Sequence, residues 1–238
     1  MKVACWSGPR NISTALMRSW SSRSDTSVID EPFYSHYLKS TKLQHPMRKK
    51  IIESYPSNKR EIVSFLLSDN PFNKKVWYQK HMAHHITSFK NIDYVLSFEN
   101  TFLIRHPKKV LSSYTKKNRL SGINDLGYVQ QKELINFLRK KGKDFIVIDS
   151  DKLLKNPSII LRKWCKKLGI PYEKKMLFWE KGIHKDDGIW AEHWYDSVIN
   201  TNTFKKPDKT NNLTVNDSNK IILKQCMVIY DELVKLSI

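Results

Sequence analysis

Acidic residues are scarce in this chain: 23 Asp and Glu stand against 42 Lys and Arg in 238 residues, a formal charge of +19. The imbalance favours an anionic partner, whether nucleic acid, an acidic membrane surface or a multiply phosphorylated small molecule. It concentrates in residues 101–175, with 19 basic and 6 acidic side chains. Part of the excess is accounted for by lysines that solvate helix faces in a Lys-, Asn- and Ile-rich composition. Cysteine is sparser still. Cys5, Cys165 and Cys226 are odd in number and far apart, which excludes a disulfide framework and a CxxC metal site and leaves reduced core thiols. No apolar run approaches the ~18 residues of a membrane span, and "MKVACWSG" is too short and too strand-like for a secretory leader. A cytoplasmic protein without membrane association is expected. Repeats, low-complexity tracts and linkers are missing too. With 40% hydrophobic residues, the whole chain, 1–238, is expected to form one domain.

What is present reads as alternating strands and helices. "KVACW" (2–6) is a short buried strand that runs into the Ser7-Gly8-Pro9 turn, and Ser13 to Trp20 reads as a helix. "TSVIDEP" (26–32), "KKVWYQK" (74–80), "TFLIRHP" (101–107) and "DFIVIDS" (144–150) supply four more strands. Asn156 as N-cap and Pro157 at the first helical position open a helix whose stripe of Ile160, Leu161, Trp164, Cys165 and Leu168 ends at Gly169 and Pro171. A final helix is expected over about 217–236. Residues 182–213 have little periodicity and read as long loops, with Trp190, Trp194 and Tyr195 placed to fold over a site. Such alternation predicts an α/β, three-layer, P-loop-type fold, with a parallel sheet of about five strands flanked by helices and its ligand beyond their carboxyl ends.

Two stretches look like halves of one anion site. In "WSGPRNISTALMRSW" (6–20), Arg10, Ser13 and Thr14 stand at the start of a helix, where free N–H groups and the helix dipole favour an anion. The loop lacks the GxxxxGK[ST] string of a metal-dependent nucleotide kinase. In "RHPKKVLSSY" (105–114), Arg105 ends a strand and Ser113 follows two turns into the next helix. The pair can converge on one phosphate, with the arginine as a bidentate fork.

"RNISTAL" and "RHPKKVLSSY" together resemble the (K/R)xG(S/T)T and RxPxxxxxS motifs of sulfotransferases that use 3′-phosphoadenosine 5′-phosphosulfate (PAPS). "DKLLKNPSIILRKWCKKLGIP" (151–171) is similar to a later segment of the same superfamily. "WSGPRNISTALM", "DEPFY", "QKHMAHH" and "DGIWAEHWYDSV" look like a sulfotransferase-like subgroup of poorly assigned biochemistry. The resemblance implies that Arg10, Asn11, Ser13 and Thr14 hold the 5′-phosphosulfate and that Arg105 and Ser113 hold the 3′-phosphate. It departs in two places. Ile12 stands where the usual first loop has glycine, and the C-terminal Arg-Lys-Gly of the cytosolic enzymes has only Lys181 and Gly182, in "EKG", as a match.

Sulfuryl transfer needs a base for the acceptor proton and cations for developing charge. Lys80 and His81 are similar to the K-x-H of the cytosolic enzymes with the spacer missing, and Glu31 occupies the strand end where other branches place a catalytic glutamate. His81 is the first choice of base and Glu31 the second. His84 and His85 lack companions at zinc spacing, so no metal is expected. The implied function is sulfuryl transfer from PAPS, as co-substrate, to a hydroxyl or amine of a small acceptor. Alternatives are a nucleotide-binding protein of the same fold without transfer activity and a P-loop kinase-like phosphotransferase. Nucleic acid is disfavoured, since no RNP1 string, KH loop or zinc knuckle occurs.

Overall fold

The computed structural model describes residues 1–206 and 213–238. Five parallel strands form one sheet in the order β2-β3-β1-β4-β5: β1 Lys2–Ser7, β2 Thr26–Asp30, β3 Val76–Met82, β4 Glu99–Ile104 and β5 Phe145–Asp149. Both faces are covered, which is why the strands are near-continuous apolar runs. Successive side chains point to opposite faces, and this parity sorts the core. Val3, Cys5, Val76 and Tyr78 join one cluster with Leu16, Trp20, Leu161 and Trp164. Ala4, Trp6 and Trp77 join the other with Val110, Leu134, Leu138 and Tyr230. Helices α1 Ser13–Ser21, α7 Ser150–Lys155 and α8 Pro157–Lys167 thus pack on the first face; α4 Lys59–Leu67, α5 Pro107–Tyr114, α6 Tyr128–Lys140 and α11 Lys220–Val234 pack on the second.

The remaining helices gather at the carboxyl end of the sheet. These are α2 Tyr34–Thr41, α3 Arg48–Ser54 and two single turns, α9 Ala191–Trp194 and α10 Asp196–Ile199. Tyr34, Tyr37, Leu38, Ile51, Trp190 and Tyr195 make a third apolar cluster there. The stretch expected as loop from 182 therefore contains two helical turns, and its residues 207–212 lie outside the described residues. Other departures are small but matter for the site. β3 begins two residues later than the apolar run suggested and carries both Lys80 and His81 inside the ladder, opposite Cys5 and Trp6. β4 ends at Ile104, so Arg105 is the first residue beyond it. Asn156 sits at the N-cap of α8 without a side-chain bond, while Asp149 caps the preceding α7 through the N–H groups of Asp151 and Lys152. No described helix is long and apolar enough to cross a membrane.

Gly8 fixes the distance between the first turn and the α6 entrance. A Cβ built there lies 2.2 Å from the Leu126 carbonyl oxygen, and Gly127, at φ 77°, stands just behind it. The clash is with backbone, which cannot rotate away. Gly8→Ala is expected to cost about 1–3 kcal/mol, the range of overpacked sites, read as a lower urea midpoint at unchanged slope.

Candidate active site

The turn after β1 is tightly wound. Arg10 and Ile12 both have positive φ, 61° and 63°, and such alternation makes a concave backbone nest for an anion. A β-branched residue in the left-handed region is strained by about 1–3 kcal/mol, so Ile12 is held there by its surroundings. Asn11 Nδ2 donates to the Leu103 carbonyl at 3.0 Å, Ser150 Oγ donates to the Asn11 carbonyl at 3.2 Å, and Arg105 Nη1 donates to the Arg10 carbonyl at 2.6 Å. α1 then starts with no side-chain cap on its N–H groups. Its first turn presents Ser13 and Thr14 to a cavity of about 400 Å³, which is within the usual range for small-molecule sites.

The second half of the anion site meets the first directly. Arg10 Nε donates to Ser113 Oγ at 2.9 Å. The Arg105 carbonyl accepts from Tyr128 Oη at 2.6 Å, which fixes the residue where β4 runs into α5. Arg10, Arg105 and Ser113 all line the cavity. Burial lowers the proton affinity of Arg10, and Arg105 adds to the effect. Asp196 opposes the shift in part, and an anion bound beside the two guanidinium groups would relieve it further.

The opposite wall is built around Lys80. Its ammonium donates to Asp30 Oδ1 at 2.7 Å, Glu31 Oε1 at 2.5 Å and Tyr195 Oη at 2.7 Å. All three of its protons are therefore used. Burial works against the charge, but Asp30 and Glu31 outweigh it and raise the Lys80 pKa. Tyr195 Oη also donates to Asp30 Oδ2 at 2.6 Å and accepts from Trp190 Nε1 at 3.1 Å. Gly188 N–H reaches the same Asp30 oxygen at 3.0 Å, and Asp187 pairs with Arg18 of α1 at 2.7 Å. The 187–195 segment is a strap latched across the strand ends. A Cβ on Gly188 would fall 2.2 Å from the Trp190 ring, so only glycine fits that bend. Tyr195→Phe leaves Lys80 and Asp30 each one partner short, and a loss of about 1–3 kcal/mol is expected by denaturant unfolding.

Glu31 is the strand-end carboxylate that faces the cavity. Its backbone is at φ 40°, with its N–H bonded to the Lys80 carbonyl at 2.9 Å, and its side chain remains 11% exposed. Burial raises its pKa, and Asp30 adds to the rise against the opposing pull of Lys80.

His81 is not brought to this wall. One residue beyond Lys80 on the same strand, it points to the other face, stacks on Trp6 with ring centroids 4.2 Å apart, and bonds Gln79 Oε1 at 3.2 Å. It is 1% exposed, and burial alone, not the neighbouring Lys80, lowers its pKa to about 3. Lys181 is exposed, and neither it nor Gly182 lines the cavity; the Gly182 N–H is bonded to the Ile199 carbonyl at 2.8 Å. Phe204, Lys205 and Lys206 line it instead. "TFKKP" was legible as an aromatic beside two cations, but nothing in the sequence tied it to the site. Asn11 lines the cavity with its amide nitrogen already committed to Leu103. Among the described residues no group of His, Cys, Asp and Glu is arranged to hold a metal ion.

A parallel sheet with a backbone anion nest after its first strand, faced by an arginine and a serine from its fourth, defines an α/β class whose ligand lies at the strand carboxyl ends. Within that class the chain belongs to the sulfotransferase-domain family, whose profile matches residues 1–235. Two proteins of Arabidopsis thaliana are similar to it. Branched-chain-amino-acid aminotransferase-like protein 2 is 30% identical over 229 residues, 96% of this chain and 40% of that protein. Its counterpart, protein 1, is 33% identical over 207 residues, 87% of this chain and 37% of that protein. The chain spans about two fifths of the length of these relatives. Among solved structures, the sulfotransferase domain of the Synechococcus PCC 7002 olefin synthase shares the fold, with a TM-score of 0.63 at 15% identity over 97% of this chain and 94% of that one.

Proposed function

We propose that the protein transfers a sulfuryl group from PAPS to a small acceptor, with Glu31 as the base. The observation that carries this reading is the junction of the two motif halves: Arg10 bonded to Ser113, and Arg105 to the Arg10 carbonyl, on a cavity whose far wall presents Glu31. The 5′-phosphosulfate suits the nest and the uncapped first turn of α1, and the 3′-phosphate suits Arg105 and Ser113. Lys205 and Lys206, which line the cavity, suit the role that the resemblance implies for Lys181 and Gly182. Glu31 accepts the proton of the acceptor hydroxyl as its oxygen bonds to sulfur. The bond between sulfur and the bridging phosphate oxygen breaks, and its electron pair stays on the nucleotide. That charge is met by donors already in position at the nest, Arg10 and the α1 N-terminus. Lys80, with its three protons engaged, orients Glu31.

The test pairs calorimetry of 3′-phosphoadenosine 5′-phosphate and ADP with a transfer assay from PAPS in EDTA. Preference for the 3′-phosphorylated nucleotide and turnover without a metal are expected. Preference for ADP, or turnover from ATP that requires magnesium, would assign the site to a phosphotransferase.

A further inference from the structure

We infer that the acceptor carries a positively charged nitrogen, held where Glu31 meets the rings of Tyr34, Trp194 and His85. The inference rests on the sulfuryl-transfer reading of this cavity and adds the chemical class of the molecule that receives the group.

Of the cations that line the cavity with Lys205 and Lys206, Arg10 and Arg105 belong to the junction of the first loop with Ser113. Among the described residues the cation hydrogen-bonded to Glu31 is Lys80, which lies against two carboxylates, those of Asp30 and Glu31, and has no proton left for a ligand. With both acids ionised, the cluster is one negative charge in excess. The bonds to Glu31 fall on Oε1, so among the described residues Oε2 has none.

The imidazoles beside this cluster are held neutral. His45, His84 and His85 line the cavity. Burial lowers the pKa of each, that of His84 to about 3, and their mutual proximity adds to the effect for His84 and His85. His85 is stacked between Tyr34, 5.0 Å away with its plane tilted by 5°, and Tyr37, 4.6 Å away. Trp194 Nε1 donates to Tyr34 Oη at 3.3 Å, which joins the two aromatic groups into one wall. Aromatic faces beside a surplus carboxylate are the surroundings that attract an ammonium group.

A second observation is independent of charge. His85 is 3% exposed, lines the cavity, and its Nδ1 has no hydrogen-bond partner among the described residues; His84 Nδ1 lacks one as well. Buried polar atoms are rarely left so. A neutral imidazole offers a lone pair, and a protonated amine brings the donor that such a lone pair lacks.

In the transfer step the charged nitrogen is not consumed when the acceptor is an amino alcohol. The hydroxyl proton moves to Glu31, the oxygen–sulfur bond forms, and the sulfur–oxygen bond to the nucleotide breaks. With a primary amine, Glu31 takes the ammonium proton and passes it to solvent; the freed nitrogen then bonds to sulfur as the sulfur–oxygen bond to the nucleotide breaks with its electron pair on the nucleotide, and the second nitrogen proton goes to Glu31.

The test compares choline with dimethylbutanol, the neutral isostere in which carbon replaces its nitrogen, and ethanolamine with propanol. Binding is measured by calorimetry, with and without 3′-phosphoadenosine 5′-phosphate, so a failure of nucleotide binding bears on the donor reading and leaves the cation-to-neutral ratio readable. In at least one pair the cation is expected to bind about tenfold tighter or more. Trp194→Leu and, separately, Glu31→Gln are expected to shrink that ratio towards one. Loss of packing alone would weaken cation and isostere together. Equal or tighter binding of both isosteres, or no binding of any of the four, overturns the proposal. Mass analysis of the product then separates O-sulfation from N-sulfation.

Discussion

Glu31→Gln is expected to lower turnover by about 100-fold or more, the scale of a lost general base, with little change in affinity for 3′-phosphoadenosine 5′-phosphate. The amide keeps the shape of the side chain and its contact with Lys80, which retains Asp30 and Tyr195 as partners. His81→Asn is expected to leave turnover within a fewfold of normal, because His81 points to the opposite face of β3 from Lys80, stacks on Trp6 and does not line the cavity. The pH profile supplies an independent readout. A base works when deprotonated, so activity rises with pH through the pKa of Glu31. Burial and Asp30 raise that value, so the acid limb should lie above the ordinary carboxylate range and disappear in Glu31→Gln. A limb that survives in Glu31→Gln, or a loss in His81→Asn as large as that in Glu31→Gln with the fold intact by circular dichroism, would return the role to His81.

Arg105→Ala is expected to weaken 3′-phosphoadenosine 5′-phosphate by about 2–4 kcal/mol, as when a desolvated charge pair loses one member, and ADP by far less. Part of the loss comes through the first loop, since Arg105 also holds the Arg10 carbonyl. Arg105→Lys separates the two contributions: it restores a charge but not the planar fork, so it should recover only a fraction of the affinity. Ser113→Ala removes the hydroxyl that accepts from Arg10 and should cost about 1 kcal/mol with the same nucleotide preference. Equal weakening of the two nucleotides by Arg105→Ala would mean that Arg105 holds the loop and does not read the 3′-phosphate.

The sheet was legible because each strand is an apolar run stopped by a turn signal, and both covered faces reinforce that pattern. That Arg10, Ser13, Thr14, Arg105 and Ser113 would line one cavity was legible because each lies in a turn after a strand or in the helix that follows it, where local order sets the neighbourhood. The Lys80 cluster was not. Its members Asp30, Gly188 and Tyr195 are far apart in sequence, and no periodicity links a strap to the strand that it covers. His81 shows the limit of reading by residue type. In a K-x-H string both side chains share a face, whereas adjacent residues on a strand cannot. The missing spacer, visible in the sequence, sends the imidazole into the core. Lys205 and Lys206 were missed for a related reason, since a chain of 42 basic residues gives two more lysines no contrast.

The walls of the cavity come from separate parts of the chain. The nest is braced by β1, β4 and α5, whereas the rings around Glu31 come from α2, the end of β3 and the strap, which latch to one another through Asp30 and Tyr195. Apart from Asp187, which ties the strap to Arg18 of α1, change in the second group can therefore accumulate with little effect on how the first holds a nucleotide. A lineage could exchange one acceptor for another by drift in a handful of aromatic and imidazole positions while its donor chemistry stayed constant. Divergence within the family is then expected to be uneven along the chain: the first loop and the "RHPKKVLSSY" segment stay common to its branches, whereas the strings that hold Tyr34, His85 and Trp194 are shared within one subgroup and differ between subgroups.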